Sequence, residues 1–342
     1  MLKKIFIGII LIGGIAGFLV YDKYPVVMSP NVPDKLAHRI VIIPSNSSFD
    51  EVVENLQKNK QIIDAVSFRE VAGMMNYKRG IMRSGRYKIN PSWSNRSLIG
   101  HLRAGKQEPV SVVLNHGWIL EDVAAKAAQN IEADSANLAT LFFNEDYIKE
   151  FGYTKETLMS LFIPNTYEFF WDKNEKEFFQ RMIKEHERFW KSNNRLAKAE
   201  KLGMNPMEVY TLASIVEREI SKKEEKKRVA GLYLNRIREG IKLGADPTAK
   251  FATRDFKATR ILFKHTRYDS PFNTYLYKGL PPGPISMASI TSIDAVLDSE
   301  DHEYIFMCAR PDFSGYHVFS KTLSEHNKNA KKYHRWLDGL KK

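Results

Sequence analysis

The 342 residues contain one cysteine, Cys308, which excludes an intrachain disulfide framework and any cysteine-cluster zinc or iron–sulfur site. No HExxH occurs and the nine histidines are scattered, so zinc hydrolysis has no local signature. GxSxG and SxxK are absent, which leaves serine acylation without one. No metal and no cofactor is expected. Hydrophobic residues at 43% and charged residues at 27% exclude wholesale disorder and collagen-like structure. Lys+Arg 52 against Asp+Glu 40 gives a net charge of +12, which asks for an anionic partner: nucleic acid, a membrane surface or an acidic polymer.

Long apolar runs are also scarce. The outstanding one, Ile5–Tyr21, has 17 uncharged residues and follows Lys3 and Lys4. It exceeds a signal-peptide core of about 7–15 residues and is at the short end of what crosses a bilayer. Its small-residue pair, Gly14 and Ala16, lies inside the run, and no cysteine is near for lipidation. We therefore expect an uncleaved anchor over 1–21 with a cytoplasmic amino terminus. The rest would lie on the outer, periplasmic side of the cytoplasmic (inner) membrane, as a single-pass protein. Nucleic acid is then not expected as a partner. The last 22 residues hold seven Lys+Arg against two acidic residues, which reads as a solvated helix end or a contact for an anionic surface.

The expected fold class is α+β, in three parts after the anchor. Residues 22–37, with Pro25, Pro30 and Pro33, read as an extended linker. Residues 38–108 read as strand, helix, helix, strand. Arg39–Ile43 is β-branched, Ser47 or Ser48 can cap a helix through Leu56, a second helix carries Phe68 to Met75, and Gly85–Ile89 alternates. That order resembles a LysM-type module, which either binds N-acetylglucosamine polymers or serves as a spacer. Residues 109–342 read as a mixed α/β catalytic domain.

Chemistry concentrates after Leu202. Asn205 is a good N-cap, Pro206 takes the first helical position, and Glu208 falls where a capping-box partner belongs. At 100° per residue, Val209, Leu212, Ala213, Val216 and Ile220 form an apolar stripe, with Glu217 and Glu219 on opposite edges, each about 80° from its centre. Arg218 points to solvent. A carboxyl at the margin of core and water is partly desolvated, which raises its pKa and suits a general acid. Geometry does not choose between the two glutamates, and both also read as surface charges paired with Lys222, Lys223 or Arg218. Ser221 and Glu224 read as a second capping box. Three polar turns follow, at 244–248, 270–275 and 279–285.

These segments resemble the YceG-like family of endolytic murein transglycosylases. The matching runs are Leu212–Glu219, Tyr233–Arg236, Asp246–Thr248, Asn273–Tyr275, Gly279–Ile285, His317–Phe319 and Glu325–Asn327, in family order, with Ile163–Tyr167 before them. Asn165 stands where Asp is common, His116-Gly117 replaces Glu-Gly, and Gly244-Ala245 replaces a polar pair. The resemblance implies that the catalytic glutamate is the first of the pair, Glu217. It makes Asp246, Thr248, Asn273, Thr274, Tyr275, Asn235 and His326 candidate substrate-binding residues. It implies cleavage of the β-1,4 bond between N-acetylmuramic acid and N-acetylglucosamine within peptidoglycan glycan strands, leaving 1,6-anhydro ends. It also implies a cell-wall synthase partner at the membrane. From the residues alone, a non-catalytic, membrane-tethered peptidoglycan-binding protein remains an alternative, as does a muramidase that uses water.

Overall fold

The β-branched run Ile40–Ile43 forms β1, which pairs antiparallel with Gly85–Lys88 (β2), Ile40 opposite Lys88 and Ile43 opposite Gly85. This computed structural model describes residues 23–340 except 79. The expected anchor over 1–21 lies outside the described residues, and among those no helix is long and apolar enough to cross a membrane. Between the two strands lie α1 (Phe49–Lys58) and α2 (Ala65–Met74). Ser48 and Glu51 close a reciprocal capping box on α1, and Asp64 caps α2. The strand–helix–helix–strand order is thus present. A third helix, α3 (Asn95–Ala104), starts at Ser94 and stops at Gly105, whose φ of 68° suits glycine. Val41, Ile43, Val53, Leu56, Phe68 and Tyr87 share one core with Leu98, Ile99 and Leu102 of α3.

The segment expected as an extended linker is ordered against this core. Residues 23–28 are helical, and Asn31 and Val32 are buried. Both backbone amides donate to Trp93 O at 2.9 Å, and Asn31 Nδ2 donates to Asn95 Oδ1 at 2.6 Å. Pro25, Pro30 and Pro33 fix φ at their own positions but leave Asn31 all its hydrogen-bonding groups, and these tie the segment down.

The described residues form two compact units: one of those up to 111 with 130–132 and 168–173, the other of the remaining described residues. A second sheet joins β3 (Val110–Leu114) and β4 (Asn165–Phe169). The second unit is mainly helical: α4 (Leu120–Ala128), α5 (Ser135–Phe142), α6 (Glu145–Lys149), α7 (Glu175–Lys191), α8 (Arg195–Lys201), α9 (Pro206–Glu219), α10 (Lys223–Arg238), α11 (Asp246–Thr253), α12 (Phe263–Thr266), α13 (Ile290–Leu297) and α14 (Leu323–Gly339). A 3₁₀ turn covers Leu158–Leu161, and β5 (Phe306–Ala309) pairs antiparallel with β6 (His317–Ser320). The architecture is mixed α and β with small two-stranded sheets. At its centre α9 buries Val209, Tyr210, Leu212, Ala213, Ile215 and Val216 among residues of α10 and α13.

The expected capping box at Ser221 and Glu224 does not form. The N-cap of α10 is Lys222, which makes no side-chain cap bond. The adjacent Glu225 instead accepts from His317 N and meets His317 Nδ1, each at 2.9 Å, so the glutamate that matters here serves β6.

Candidate active site

Helix α9 is aimed by its N-terminal cap and by buried bonds along its length. Asn205 Oδ1 accepts from Glu208 N at 3.0 Å and Glu208 Oε2 accepts from Asn205 N at 2.8 Å, the capping box legible in the sequence. Tyr210 OH donates to Phe162 O at 2.7 Å and accepts from Ala288 N at 3.2 Å. Ser214 Oγ accepts from Ile285 N at 3.0 Å. These buried bonds bring the 285–289 segment alongside the last turn of α9 and carry Ser289 to Glu217.

Glu217 meets a dense donor set there. Its Oε2 accepts from Lys226 Nζ at 2.8 Å, Ser292 Oγ at 2.5 Å, Ser289 Oγ, and Ser289 N at 3.4 Å. Among the described residues no hydrogen bond reaches Oε1, and the side chain is 28% exposed. Burial pushes the carboxyl pKa up, but the hydrogen bonds from Lys226, Ser289 and Ser292, with the lysine charge, outweigh it and hold the pKa below its ordinary value.

Glu219 has the opposite setting. Burial and then the charge of Asp246 push its pKa up to about 7, against the pull of Arg236 and Tyr233. Its Oε2 is buried with no partner among the described residues. Glu219 lines a polar cleft of about 630 Å³ with Trp118, Arg218, Asp246, Pro247, Lys250 and residues 259–261. Tyr275 OH donates to Asp246 Oδ1 at 2.5 Å, which joins two of the expected residues beside this cleft. Glu217 is not among its lining residues.

Arg218 does not point to solvent. Its guanidinium lies 4.0 Å over the Trp118 ring and Nη2 donates to Gly117 O at 3.2 Å, because the 116–118 segment covers this face of α9. Trp118 also walls an apolar cavity of about 210 Å³ with Leu120, Met159, Phe251 and Phe272, and Arg254 reaches it.

The other expected residues hold loops. Thr248 and Thr274 are buried, their hydroxyls 2.8 Å apart, and Thr274 Oγ1 accepts from Ala245 N. Asn273 is fully buried, its Nδ2 donating to His265 O, Thr266 O and Tyr268 O. Asn235 donates to His302 O at 2.7 Å and Tyr304 O at 3.0 Å, which tethers the approach to β5. His326 stacks on Phe306 with ring centres 5.3 Å apart, and burial lowers its pKa. Sequence reasoning missed Lys226, Ser289 and Ser292. Lys226 had a readable signal: it shares a helix face with Val229, Ala230 and Tyr233, so it is a lysine on an apolar stripe. Among the described residues, no group of three or more His, Cys, Asp and Glu is arranged to hold a metal.

One helix of this mixed α/β protein thus presents two carboxyls in unlike settings, one of them lining a polar cleft. The chain belongs to the YceG-like family, whose profile matches residues 41–332. It is 28% identical to the endolytic murein transglycosylase of Bacillus subtilis (strain 168), covering 93% of this chain and 91% of that protein. It is 23% identical to the endolytic murein transglycosylase of Streptococcus pneumoniae serotype 2, covering 84% of this chain and 57% of that protein. A crystal structure of a YceG-like protein from Listeria monocytogenes matches with a TM-score of 0.55 at 26% identity, covering 84% of this chain and 97% of that one.

Proposed function

We propose that this chain is an endolytic peptidoglycan lytic transglycosylase with Glu217 as its general acid and then base. The names of the B. subtilis and S. pneumoniae relatives support the reaction class. The observation in this chain that carries the reading is the asymmetry of Glu217: one oxygen is fixed by donors while the other has no hydrogen-bond partner among the described residues, on a partly exposed side chain. Protonated Glu217 gives its proton to the bridging oxygen of the N-acetylmuramic acid to N-acetylglucosamine β-1,4 bond, and the C1–O pair leaves with that oxygen. The muramic C6 hydroxyl then attacks C1, and Glu217 takes its proton, giving the 1,6-anhydro end. Hydrolases with two carboxylates instead place an acid and a nucleophile or base at set separations. Asp246, beside the cleft, would favour the positive charge that develops at C1.

We extend the reading to location. Residues 1–21 anchor the chain in the cytoplasmic membrane, and residues 38–108 are a LysM-like module that binds glycan or serves as a spacer. A synthase of glycan strands is the protein partner. A second reading puts the acid on Glu219, and its pKa near 7 and place in the cleft favour it. Digestion of purified sacculi followed by mass spectrometry tests the class. Anhydro-muropeptides support transglycosylation, reducing ends indicate hydrolysis by water, and no products indicate a binding protein.

A further inference from the structure

We propose that Lys226 is a positioning residue: with Ser289 and Ser292 it fixes Oε2 of Glu217, leaves Oε1 as the one proton-carrying atom, and sets the pH range of the reaction. The link to the reaction rests on the function proposed above.

Lys226 is 5% exposed, although its chain carries a charge that is expensive to bury unpaired. Its Nζ donates to Glu217 Oε2 and to Ser292 Oγ, each at 2.8 Å, and lies 3.5 Å from Ser289 Oγ. A pair serving stability alone has no need to crowd every donor onto one carboxylate oxygen and leave the other bare on a side chain 28% exposed. An acid–base residue does need that, because its proton must leave from and return to one aimed atom.

The charges that act on Glu217 come from few places. Lys226 of α10 is the strongest, and Arg218 of α9 also feels the carboxylate, as does the phenol of Tyr210. From α13 and its cap, among the described residues, Glu217 meets only the hydroxyls of Ser289 and Ser292 and the Ser289 amide. Asp246 of α11 acts on Glu219.

The chemistry follows. With its pKa held low, Glu217 carries a proton in only a small fraction of molecules near neutral pH. When that proton moves from Oε1 to the leaving oxygen, the O–H bond breaks and a carboxylate forms beside the Lys226 ammonium and two hydroxyls, which stabilise it. When the C6 hydroxyl closes on C1, its proton returns to Oε1. Lys226 exchanges no proton in either step. It exchanges protonated fraction for stabilisation of the charge that appears in the transition state.

The test is the pH profile of anhydro-product formation by the full chain in detergent, for wild type, Lys226→Met and Lys226→Arg. Activity of the acid form declines as pH rises through the pKa of Glu217. Removing the neighbouring cation raises that pKa, so Lys226→Met moves the alkaline limb upward by about one unit or more. Its maximal rate falls about tenfold. Lys226→Arg, which keeps the charge, keeps the limb near its wild-type position. A Lys226→Met profile that drops at every pH with an unmoved limb overturns the proposal. Should Lys226→Met not fold, Ser292→Ala removes one hydrogen bond and keeps the charge. It moves the limb in the same direction by less, and an unmoved limb again contradicts us.

Urea unfolding against pH needs no activity. Because the folded pKa of Glu217 lies below the ordinary value of 4.5, the stability that the carboxylate contributes is present above that value and is lost as pH falls through the folded pKa. Wild type therefore gains on Glu217→Gln as pH rises toward neutrality, and a difference that is flat with pH contradicts the proposal. If wild type makes no anhydro ends, the functional reading fails, and this comparison still decides whether Lys226 holds Glu217 ionised.

Discussion

The guanidinium of Arg218 lies over the ring of Trp118 at 4.0 Å, which ties this face of α9 to the segment after β3. Trp118 thereby becomes a fixed wall of the Glu219 cleft. Trp118→Ala removes that wall and a cation–π contact worth about 0.5–2 kcal/mol. We expect KM for glycan strands to rise about tenfold with a smaller change in kcat, read from initial rates against strand concentration, and a modest fall in Tm.

Glu219 predicts a dependence of stability on pH. Its folded pKa of about 7 lies above the ordinary value of 4.5. The sign is therefore opposite to that of Glu217: stability is greatest below the unfolded value and is lost as pH rises through about 7. The full swing is about 3 kcal/mol at most. Glu219→Gln removes this dependence, so it should be the more stable protein at pH 8 in urea unfolding. A wild-type curve parallel to that of the variant from pH 4 to 8 contradicts the raised pKa.

Gly283 predicts a backbone clash. A Cβ there would lie 2.0 Å from the carbonyl oxygen of Glu156, a contact that a backbone atom cannot yield cheaply. Two residues on, Ile285 N bonds Ser214 of α9. Gly283→Ala should lower stability by about 1–3 kcal/mol or more and reduce turnover with it. A thermal melt within a degree of wild type contradicts the close approach.

Asn235 separates structural from substrate-binding roles. Its side chain bonds two backbone carbonyls, and it is 6% exposed. Asn235→Ala leaves those carbonyls short of a donor and should lower stability by about 1–3 kcal/mol with KM unchanged. A raised KM with unchanged Tm would return Asn235 to the cleft.

Local chemistry made much of this legible. Ser48, Asn205, Pro206 and Glu208 act through groups within four residues, so their caps read directly from the chain. Non-local neighbours did not. The angle of Arg218 on a helical wheel faces away from the apolar stripe, but a wheel cannot show that the 116–118 segment covers that face. For the same reason the polar residues Thr248, Asn273 and Thr274 read as cleft residues, though they bond backbone groups of the loops around them and, for the two threonines, each other. Glu217 and Glu219 have symmetric places on the wheel and opposite settings in the fold. The difference comes from Lys226, Ser289 and Ser292 on one side and Asp246 on the other.

The most direct measurement is digestion of sacculi by wild type, Glu217→Gln and Glu219→Gln, with products read by mass spectrometry. Our account predicts anhydro-muropeptides from wild type, none above background from Glu217→Gln, and the same products from Glu219→Gln with an altered pH profile. Full anhydro product from Glu217→Gln, with none from Glu219→Gln, would show that the proton-carrying carboxyl is the other one.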